Sequence, residues 1–359
     1  MAVLPDDERY MAEAIRLSLL HLGRTSTNPS VGCIVVRDGE VVGRAVTAIG
    51  GRPHAEPQAL AEAGGKARGA TAYVTLEPCS HYGQTPPCAN ALIAAGVARV
   101  VVSVTDPDER VAGRGLKMLA DAGIAVTTGV LEKEGRRALA GYLSRQTRKR
   151  PQVILKLAVS KDGMMGRRGE GQVAITGSAA RAEVHRLRAV SDAILIGVGT
   201  AIADDPELTV RLPGLEDRSP VRIVLDRDLD LPPTSKLVMT AGAVPVIAVC
   251  SPEAAGSDRH AALAAAGVEV LPVADLPTLL LELGGRGMSI LMVEGGARVA
   301  GDVLRAGLVD RIDLYTGAVE IGAGGIESPL TSADIPDGFE LVRTARFGPD
   351  LLQQYERAI

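Results

Sequence analysis

Aromatic side chains are scarce in this sequence of 359 residues, which has no tryptophan, 2 phenylalanines and 6 tyrosines. So few rings argue against a surface that stacks the bases of single-stranded nucleic acid. The net charge is also small, because 39 lysines and arginines face 43 aspartates and glutamates and leave a balance of −4. The chain therefore lacks the basic footprint of a nucleic-acid-binding protein, and its core must be aliphatic.

Cysteine is rare as well, since four residues in 359 are too few for a disulfide framework. No apolar run reaches the roughly 18 residues of a membrane-spanning helix. The first residues, MAVLPDDERYM, show no basic stretch leading into an apolar one, as a secretory signal would. These absences predict a cytoplasmic enzyme that acts on a small molecule and has neither a nucleic acid nor a membrane as partner. At roughly 100–200 residues per domain, the length favours two domains.

Strand and helix patterns alternate in both halves of the chain. In the first half, Val31–Val36 and Val41–Val46 flank an Asp-Gly turn and predict a hairpin. In the second half, Val221–Leu225 and Ile290–Val293 are short apolar runs typical of a parallel sheet. The alternation predicts an α/β fold in each half.

A basic stretch, Arg145–Arg150, precedes Pro151 between the two halves. A run of like charges is usually solvated, so we interpret the stretch as a linker. It predicts a first domain over residues 1–148 and a second over residues 149–359.

The residues that point most directly to chemistry are His54, Glu56, Cys79 and Cys88 in the first half. Zinc deaminases bind the metal through one His and two Cys and use a Glu, which is not a ligand, to carry protons. Two thiolates and an imidazole leave the fourth tetrahedral position open for water, and the metal lowers the pKa of that water. On spacing alone, two inert thiols are an equal alternative, because eight residues separate the cysteines where the general signature has two.

Prolines near these residues predict that they lie at helix N-termini. Pro57 follows Glu56 and suits the first turn of a helix, and Pro87 directly precedes Cys88. The positive end of a helix favours a thiolate over a thiol. The local sequence thus supports a metal site.

A glycine pair follows an apolar strand in the second half, in the segment Leu291–Arg298. Glycines let the backbone approach a phosphate, and the following helix offers free N–H groups. The pair does not match the G-x-G-x-x-G fingerprint of a Rossmann fold. By itself it is more often a tight connection between a strand and a helix.

Several segments resemble the bifunctional deaminase–reductase family of riboflavin biosynthesis. Glu77–Cys88 closely resembles the loop between that family's two zinc cysteines, and Thr27–Cys33 is similar to its N-terminal substrate motif. In the second half the similar segments are Lys156–Gly163, Gly197–Thr200, Asp204–Arg211 and Glu294–Gly296. Together they span nearly the whole chain. The resemblance implies a cytidine-deaminase-like three-layer sandwich followed by a dihydrofolate-reductase-like domain.

For the first domain, the resemblance implies His54, Cys79 and Cys88 as the ligands of Zn²⁺. It implies Glu56 as the proton shuttle, and it places Asn28 and His81 near the pyrimidine.

For the second domain, the resemblance implies an NADPH-dependent reductase. The residues along the cofactor are then Ala158, Thr200, Asp204 and Gly296, and those facing the substrate are Arg188, Leu208, Arg211 and Glu294. Arginine suits bidentate recognition of phosphate, with Lys156 as a point-charge partner, although Arg188 could instead be a cation that interacts with a helix dipole. From its position alone, just past the strand Val221–Leu225, we predict that Arg227 reaches the 2′-phosphate of NADPH.

The chain departs from the family's pattern at two places. Tyr82 and Gln84 stand where the family often has a His and an Arg, which predicts different contacts to the substrate phosphate. Ala174 stands where a Trp is common, and Gly171 or Gln172 replaces a nearby Ser. A stacking face on the cofactor or the substrate is therefore expected to be missing.

The expected function is deamination of 2,5-diamino-6-ribosylamino-4(3H)-pyrimidinone 5′-phosphate, followed by NADPH-dependent reduction of its ribosyl unit. One alternative is a zinc deaminase of another base or nucleotide, with an inactive or binding-only second domain. Another is a structural zinc site with His81 as fourth ligand. By analogy a homo-oligomer is expected. We assign Cys33 and Cys250 to the core and no function to His21, His185 and His260.

Overall fold

A computed structural model describes residues 3–83, 85–108 and 110–358, so Gln84 lies outside the described residues. The chain divides into two compact units, the first ending at Lys149 and the second beginning at Arg150. Over the described residues, no helix is both long and apolar enough to span a membrane.

The first unit alternates helices with strands. Its helices are α1 (Asp7–Ser18), α2 (Ala55–Ala63), α3 (Cys88–Ala95), α4 (Arg114–Asp121), α5 (Glu132–Ala138) and α6 (Ala140–Arg148). Its strands are β1 (Gly32–Arg37), β2 (Glu40–Val46), β3 (Thr71–Leu76), β4 (Arg99–Val104) and β5 (Ala125–Thr128). The hairpin predicted from the Asp-Gly turn is confirmed as β1 and β2, which pair antiparallel.

The described strands of the first unit form one sheet in the order β2-β1-β3-β4-β5, with β3, β4 and β5 parallel. Successive side chains of a strand point to opposite faces, and both faces are buried here. Val35 and Val102 pack in one apolar cluster with α2 and α3, whereas Ile34 and Val101 pack in another with α1. The unit is therefore a three-layer sandwich.

Close packing of α2 on the sheet depends on Gly43 in β2. A Cβ atom at this position would lie 2.1 Å from the carbonyl oxygen of Ala59 in α2. No side chain other than hydrogen fits such an approach. Gly43 thus lets α2, which carries Glu56 and begins directly after His54, lie directly on the strand.

The second unit is larger and begins with the strand predicted at Val153–Val159. Its strands are β6 (Gln152–Val159), β7 (Met164–Arg167), β8 (Ala193–Gly197), β9 (Val221–Leu225), β10 (Val246–Cys250), β11 (Glu269–Pro272), β12 (Ile290–Val293), β13 (Arg311–Thr316), β14 (Gly325–Glu327), β15 (Phe339–Phe347) and β16 (Asp350–Arg357). Its helices are α7 (Ser178–Val190), α8 (Val198–Asp204), α9 (Lys236–Met239), α10 (Asp258–Ala265), α11 (Leu276–Gly285) and α12 (Ala297–Arg305).

In the described part of this unit, nine strands form a sheet in the order β11-β10-β9-β8-β12-β6-β13-β16-β15. The pairs from β11 to β13 are parallel, and the hairpin of β15 and β16 closes the edge antiparallel. Parallel strands end at one edge of a sheet, and ligands bind in the crevice at that edge in open α/β sheets. The carboxyl ends of β6, β8, β9 and β12 meet there.

The division between the two units falls within the basic stretch Arg145–Arg150, but most of that stretch is helical rather than a solvated linker. Residues up to Arg148 belong to α6, where cations in the last turn interact favourably with the helix dipole. Arg150 is mostly buried and forms a bidentate ion pair with Asp310, with N–O distances of 2.7 and 2.9 Å. Charge patterning alone did not reveal this partner, which lies 160 residues away.

Candidate active sites

Three ligand-type side chains converge in the first unit: His54, Cys79 and Cys88. Their ligand atoms all lie within 4.8 Å of one another. The Nδ1 atom of His54 is 3.7 Å from the Sγ of Cys79 and 3.3 Å from that of Cys88. The structure therefore brings the three predicted zinc ligands together.

Helix starts position two of the three side chains. His54 is the N-cap of α2, and Cys88 is the first residue of α3. The backbone N–H of Cys88 also donates to the Sγ of Cys79, over 3.2 Å. Because free N–H groups and the positive end of the helix dipole lie at a helix N-terminus, the site stabilises negative charge on sulfur.

Glu77 holds the loop that carries Cys79. Its buried carboxylate accepts backbone N–H groups at the start of α4, from Gly113 and Gly115, each over 3.0 Å. A Cβ atom on Gly115 would lie 2.1 Å from the carbonyl oxygen of Pro78. The residues that precede Cys79 are thus packed tightly against α4, which fixes where its thiol points.

The electrostatics of the cluster favour a thiolate at Cys79 and a proton carrier at Glu56. Hydrogen bonds from the Cys88 thiol, then from His54, lower the pKa of Cys79 to about 4 against the effect of burial. Burial and the nearby charge of Cys79 raise the pKa of Glu56, which is 3% exposed, to about 7. A carboxyl group with a pKa near neutral pH suits general acid–base work.

Two further side chains border the cluster. His81 has a buried Nδ1 atom that finds no hydrogen-bond partner among the described residues. Asn28 packs against Gly51, where a Cβ atom would lie 2.5 Å from the Asn28 Nδ2. His81 lies two residues after Cys79, and Gly51 lies three residues before His54. That Asn28 and His81 contact the pyrimidine stays a prediction.

The donor set fits a catalytic zinc better than a structural one. Structural zinc sites have four protein ligands, whereas catalytic sites have three and leave a position for water. Within the described ranges, His81 is not a member of the cluster. The structural-zinc alternative, which needed His81 as a fourth ligand, is therefore not supported.

A different arrangement occupies the second unit, where Glu294 joins two cations. Its carboxylate accepts from the Nζ of Lys156 over 3.2 Å and from the Nε of Arg188 over 3.0 Å. All three side chains are no more than about 15% exposed. Burial alone would raise the pKa of Glu294, but Lys156 and Arg188 lower it to about 2. The carboxylate is thus a fixed negative charge.

The segment Asp205–Arg211 lies against this cluster. The Nη1 of Arg188 donates to the carbonyl oxygen of Thr209 over 3.1 Å, and the Arg211 N–H donates to the Nδ1 of His185 over 3.3 Å. His185 was predicted to have no function, yet it contacts the segment that resembles the substrate motif. Burial, Arg188 and Arg211 lower its pKa and favour the neutral ring. Leu208 is buried at 5% exposure, and the Arg211 side chain is exposed and pairs with Glu207.

The residues predicted to bind the cofactor share the carboxyl edge of the sheet. The Gly296 N–H donates to the Oγ1 of Thr200 over 3.1 Å and joins the start of α12 to α8. Ala158 lies near the end of β6, and Asp204 ends α8, where burial raises its pKa. Arg227 follows β9 on the same edge but is exposed, and no described hydrogen bond joins it to Thr200 or Gly296.

Two of the departures from the family pattern, Tyr82 and Ala174, lie on exposed surface. Tyr82 is 76% exposed in the loop between the two cysteines. Ala174 is also exposed and precedes the buried Ile175, which packs against Gly317 after β13. The side chain of Ala174 is a single methyl group, so it offers no ring that could stack on a ligand.

Sequence reasoning missed two residues that shape these sites. Glu77 was read only as part of the motif around Cys79, and Arg222 only as part of an apolar strand. The signal for Arg222 is present in the sequence, because an arginine inside the run Val221–Leu225 breaks an apolar strand.

The geometry of the first unit is that of a zinc-dependent deaminase, and the second unit carries an ion cluster at the edge of a parallel sheet where ligands bind. Two family models match accordingly: residues 4–104 match the cytidine and deoxycytidylate deaminase zinc-binding region, and residues 151–353 match the RibD C-terminal domain.

Full-length relatives share both halves. Riboflavin biosynthesis protein RibD of Escherichia coli is 40% identical over 96% of this chain and 98% of its own length. The solved structure of Acinetobacter baumannii RibD is 36% identical, with a TM-score of 0.87 over 99% of both chains. A Thermotoga maritima structure, described as a diaminohydroxyphosphoribosylaminopyrimidine deaminase/5-amino-6-(5-phosphoribosylamino)uracil reductase, has a TM-score of 0.86 at 32% identity over 98% of this chain and 99% of that one.

The chain belongs to the RibD family of bifunctional riboflavin biosynthesis proteins. It is a deaminase and a reductase, with zinc as cofactor of the first unit and NADPH of the second. The predicted fold class and bifunctional activity are confirmed.

Proposed function

We propose that residues 1–148 deaminate 2,5-diamino-6-ribosylamino-4(3H)-pyrimidinone 5′-phosphate and that residues 149–359 reduce the resulting 5-amino-6-(5-phosphoribosylamino)uracil. The observation that carries the first half is the convergence of His54, Cys79 and Cys88 beside a buried Glu56. The description of the Thermotoga maritima relative names the same two reactions.

In the deaminase step, His54, Cys79 and Cys88 would hold the zinc, which would act as a Lewis acid that makes water nucleophilic near neutral pH. Glu56 accepts one proton of that water and passes it to the ring nitrogen. It then takes the remaining proton of the added hydroxyl and passes it to the amino group, which leaves as ammonia. The unpartnered Nδ1 of His81 and the amide of Asn28 orient the pyrimidine. Addition of water and loss of ammonia convert the amino-bearing ring carbon to a carbonyl.

In the reductase step, NADPH supplies a hydride when bound, and the protein positions it against C1′ of the ribosyl unit. Thr200 and Gly296 form the start of the cofactor crevice, with Ala158 and Asp204 along it. Lys156 and Arg188 face the substrate phosphate, and Glu294 keeps the two cations in place. Leu208 and Arg211 complete the substrate side, and Arg227 faces the 2′-phosphate of NADPH.

The chain acts on a small molecule, and we propose that it does so in the cytoplasm as a homo-oligomer. Gel filtration with light scattering measures the oligomeric state. A monomer at micromolar concentration would contradict this part of the proposal.

A coupled assay on the diaminopyrimidine phosphate tests the function. Ammonia release should occur without NADPH and stop with a zinc chelator. NADPH oxidation should require the deaminated intermediate, which is either made by the zinc-loaded first unit or added directly. Ammonia release from cytidine or deoxycytidylate, with none from the diaminopyrimidine phosphate, would contradict the proposed substrate.

A further inference from the structure

Arg222 is a fully buried cation in the sheet of the second unit. It is the second residue of β9, lies beside Val246 of β10 and Ile194 of β8, and is 0% exposed. Across the residues that the structure describes, no carboxylate oxygen comes within 4.0 Å of its guanidinium. An unpaired buried charge is costly, and an apolar residue of similar volume is often more stable at such a place. The stability of the sheet therefore does not explain this arginine.

The first unit shows how a buried arginine is otherwise held in this chain. Arg99 at the start of β4 forms a bidentate pair with Asp7 of α1, with N–O distances of 2.7 and 2.8 Å. Among the residues with described positions, Arg222 has no such partner and donates only to uncharged oxygens. Its Nη1 donates to the Glu207 carbonyl over 3.2 Å and to the Thr240 Oγ1 over 2.8 Å. Its Nη2 donates to the carbonyls of Thr240 and Val244.

The contact with Glu207 falls in a strained part of the backbone. Asp205 and Leu208 have φ angles of +39° and +55°, in the left-handed region that residues other than glycine rarely adopt. The Glu207 carbonyl lies between them. Conformations of this kind persist only where the surroundings hold them, and they gather at ligand-binding sites.

A short helix links the other side of the same segment to Arg222. The Lys236 N–H at the start of α9 donates to the Asp205 carboxylate over 2.8 Å. Thr240, which follows the last residue of α9, accepts from Arg222. The segment is therefore held at two points: Asp205 accepts from the start of α9, and the Glu207 carbonyl accepts from Arg222. Arg222 in turn donates to Thr240 at the end of α9.

We propose that Arg222 is a positioning residue of the reductase, which holds the segment Asp205–Arg211 in the shape that presents Leu208 and Arg211 to the pyrimidine substrate. The inference rests on the proposed function of that segment. Arg222 touches neither substrate nor cofactor and acts through the Glu207 carbonyl.

The test replaces Arg222 by Met and by Lys in the full chain. We expect Arg222→Met to raise the KM for the deaminated pyrimidine roughly tenfold, because several hydrogen bonds from a charged donor are lost. The kcat and the NADPH affinity should change less, and deaminase activity should not change. Arg222→Lys keeps the charge but has a single donor atom, so it should restore the KM only in part.

Thr240→Val is the matched control, since it removes one partner of Arg222 and leaves the Glu207 contact. It should leave the KM within about twofold of wild type. Thermal melting and NADPH binding show whether Arg222→Met is folded. If it is not, the KM of Arg222→Lys for the pyrimidine tests the inference. A lower melting temperature with an unchanged KM in both Arg222 variants would show a purely structural role and overturn the inference.

Arg211→Ala separates this inference from the function it rests on. If Arg211→Ala raises the KM for the pyrimidine and the Arg222 variants do not, only the role of Arg222 is wrong. If Arg211→Ala also leaves the KM unchanged, the segment does not face the substrate, and the proposed function of the segment fails with it.

Discussion

The two candidate active sites each contain a buried carboxylate, and the two carboxylates are held in opposite ways. Glu56 lies beside the sulfur ligands, no Lys or Arg among the described residues forms an ion pair with it, and burial raises its pKa to about 7. Glu294 is bonded to Lys156 and Arg188, which outweigh burial and lower its pKa to about 2. The first group can exchange a proton near neutral pH, and the second cannot. One chain thus uses the same side chain as a proton carrier in one unit and as a fixed charge in the other.

The two sites also differ in how the chain assembles them. The zinc ligands come from two helix starts and one loop within 35 residues of sequence. The ion cluster of the reductase joins residues 138 and 106 positions apart, brought together by neighbouring parallel strands and α7. The first site is therefore a local motif, whereas the second exists only once the sheet has formed.

Removal of zinc should have the largest effect and should separate the two units. A chelator should abolish ammonia release, because no side chain replaces the Lewis acid. NADPH oxidation with the deaminated intermediate should continue at its original rate, since the ion cluster of Glu294 contains no thiol. Parallel assays of both activities on one chelated sample measure this. Loss of both activities would show that the reductase unit also depends on the metal.

Glu56→Gln should lower the deaminase kcat by about 10²–10⁴-fold, the usual contribution of a general acid–base group. The amide is nearly isosteric but cannot carry the proton. Zinc content and reductase activity should stay the same. Glu62→Gln, on the exposed side of the same helix, is the matched control. Full ammonia release by the Glu56 variant with zinc bound would contradict the proton-transfer role.

The zinc site could be predicted because its information is local. A His before a helix, a Pro before Cys88 and the loop Glu77–Cys88, which resembles that of a known family, are all visible in a short stretch of sequence. The partner of Arg150, the contact of His185 with Arg211 and the contact of Arg222 with Glu207 were not visible in this way. Each depends on a residue that the fold brings close from another element, such as Asp310, which lies 160 positions from Arg150.

The same reason explains which elements were missed. The strand Ile290–Val293 was predicted with the bounds that the structure has, because four apolar residues are flanked by clear breaks. The hairpin of β15 and β16 was not predicted, since β15 lies at the edge of the sheet and is largely polar and exposed. β16 pairs with β13, and β15 pairs with β16, so the hairpin forms by adding strands to the sheet.

Glu294→Gln should destabilise the second unit by about 3–5 kcal/mol, because it leaves two buried cations without their carboxylate. Reductase activity should fall with it, while zinc binding persists. The full chain is unfolded with denaturant, and the activity of each unit is used to monitor its unfolding. The shift of the reductase transition gives the loss of free energy of unfolding. Glu282→Gln breaks an exposed pair with Arg286 and should cost less than about 1 kcal/mol. Equal effects of the two variants would show that Glu294 is not a fixed structural charge.

The same carboxylate predicts how acid affects the second unit. The folded pKa of about 2 lies below the ordinary value of 4.5, so the stabilisation is complete above pH 4.5 and is lost as the pH falls toward 2. The Glu294→Gln variant should lack this part of the acid dependence. Free energies of unfolding measured from pH 6 to pH 3 test this prediction. If the free energy falls equally with pH in wild type and variant, the prediction is contradicted.

Arg227→Ala should have the smallest effect, because the cation is exposed and its interactions are screened. Arg227 follows β9 at the carboxyl edge, on the same edge as Thr200 and Gly296. A guanidinium there can pair with the 2′-phosphate that distinguishes NADPH from NADH. We expect the KM for NADPH to rise about three- to fivefold, a loss typical of one exposed ion pair, and the KM for NADH to stay unchanged. Arg181→Ala, an equally exposed arginine on α7, controls for net charge. If the preference for NADPH over NADH is unchanged in Arg227→Ala, Arg227 does not bind the 2′-phosphate. The ion cluster of Glu294 is then the charged part of the second site.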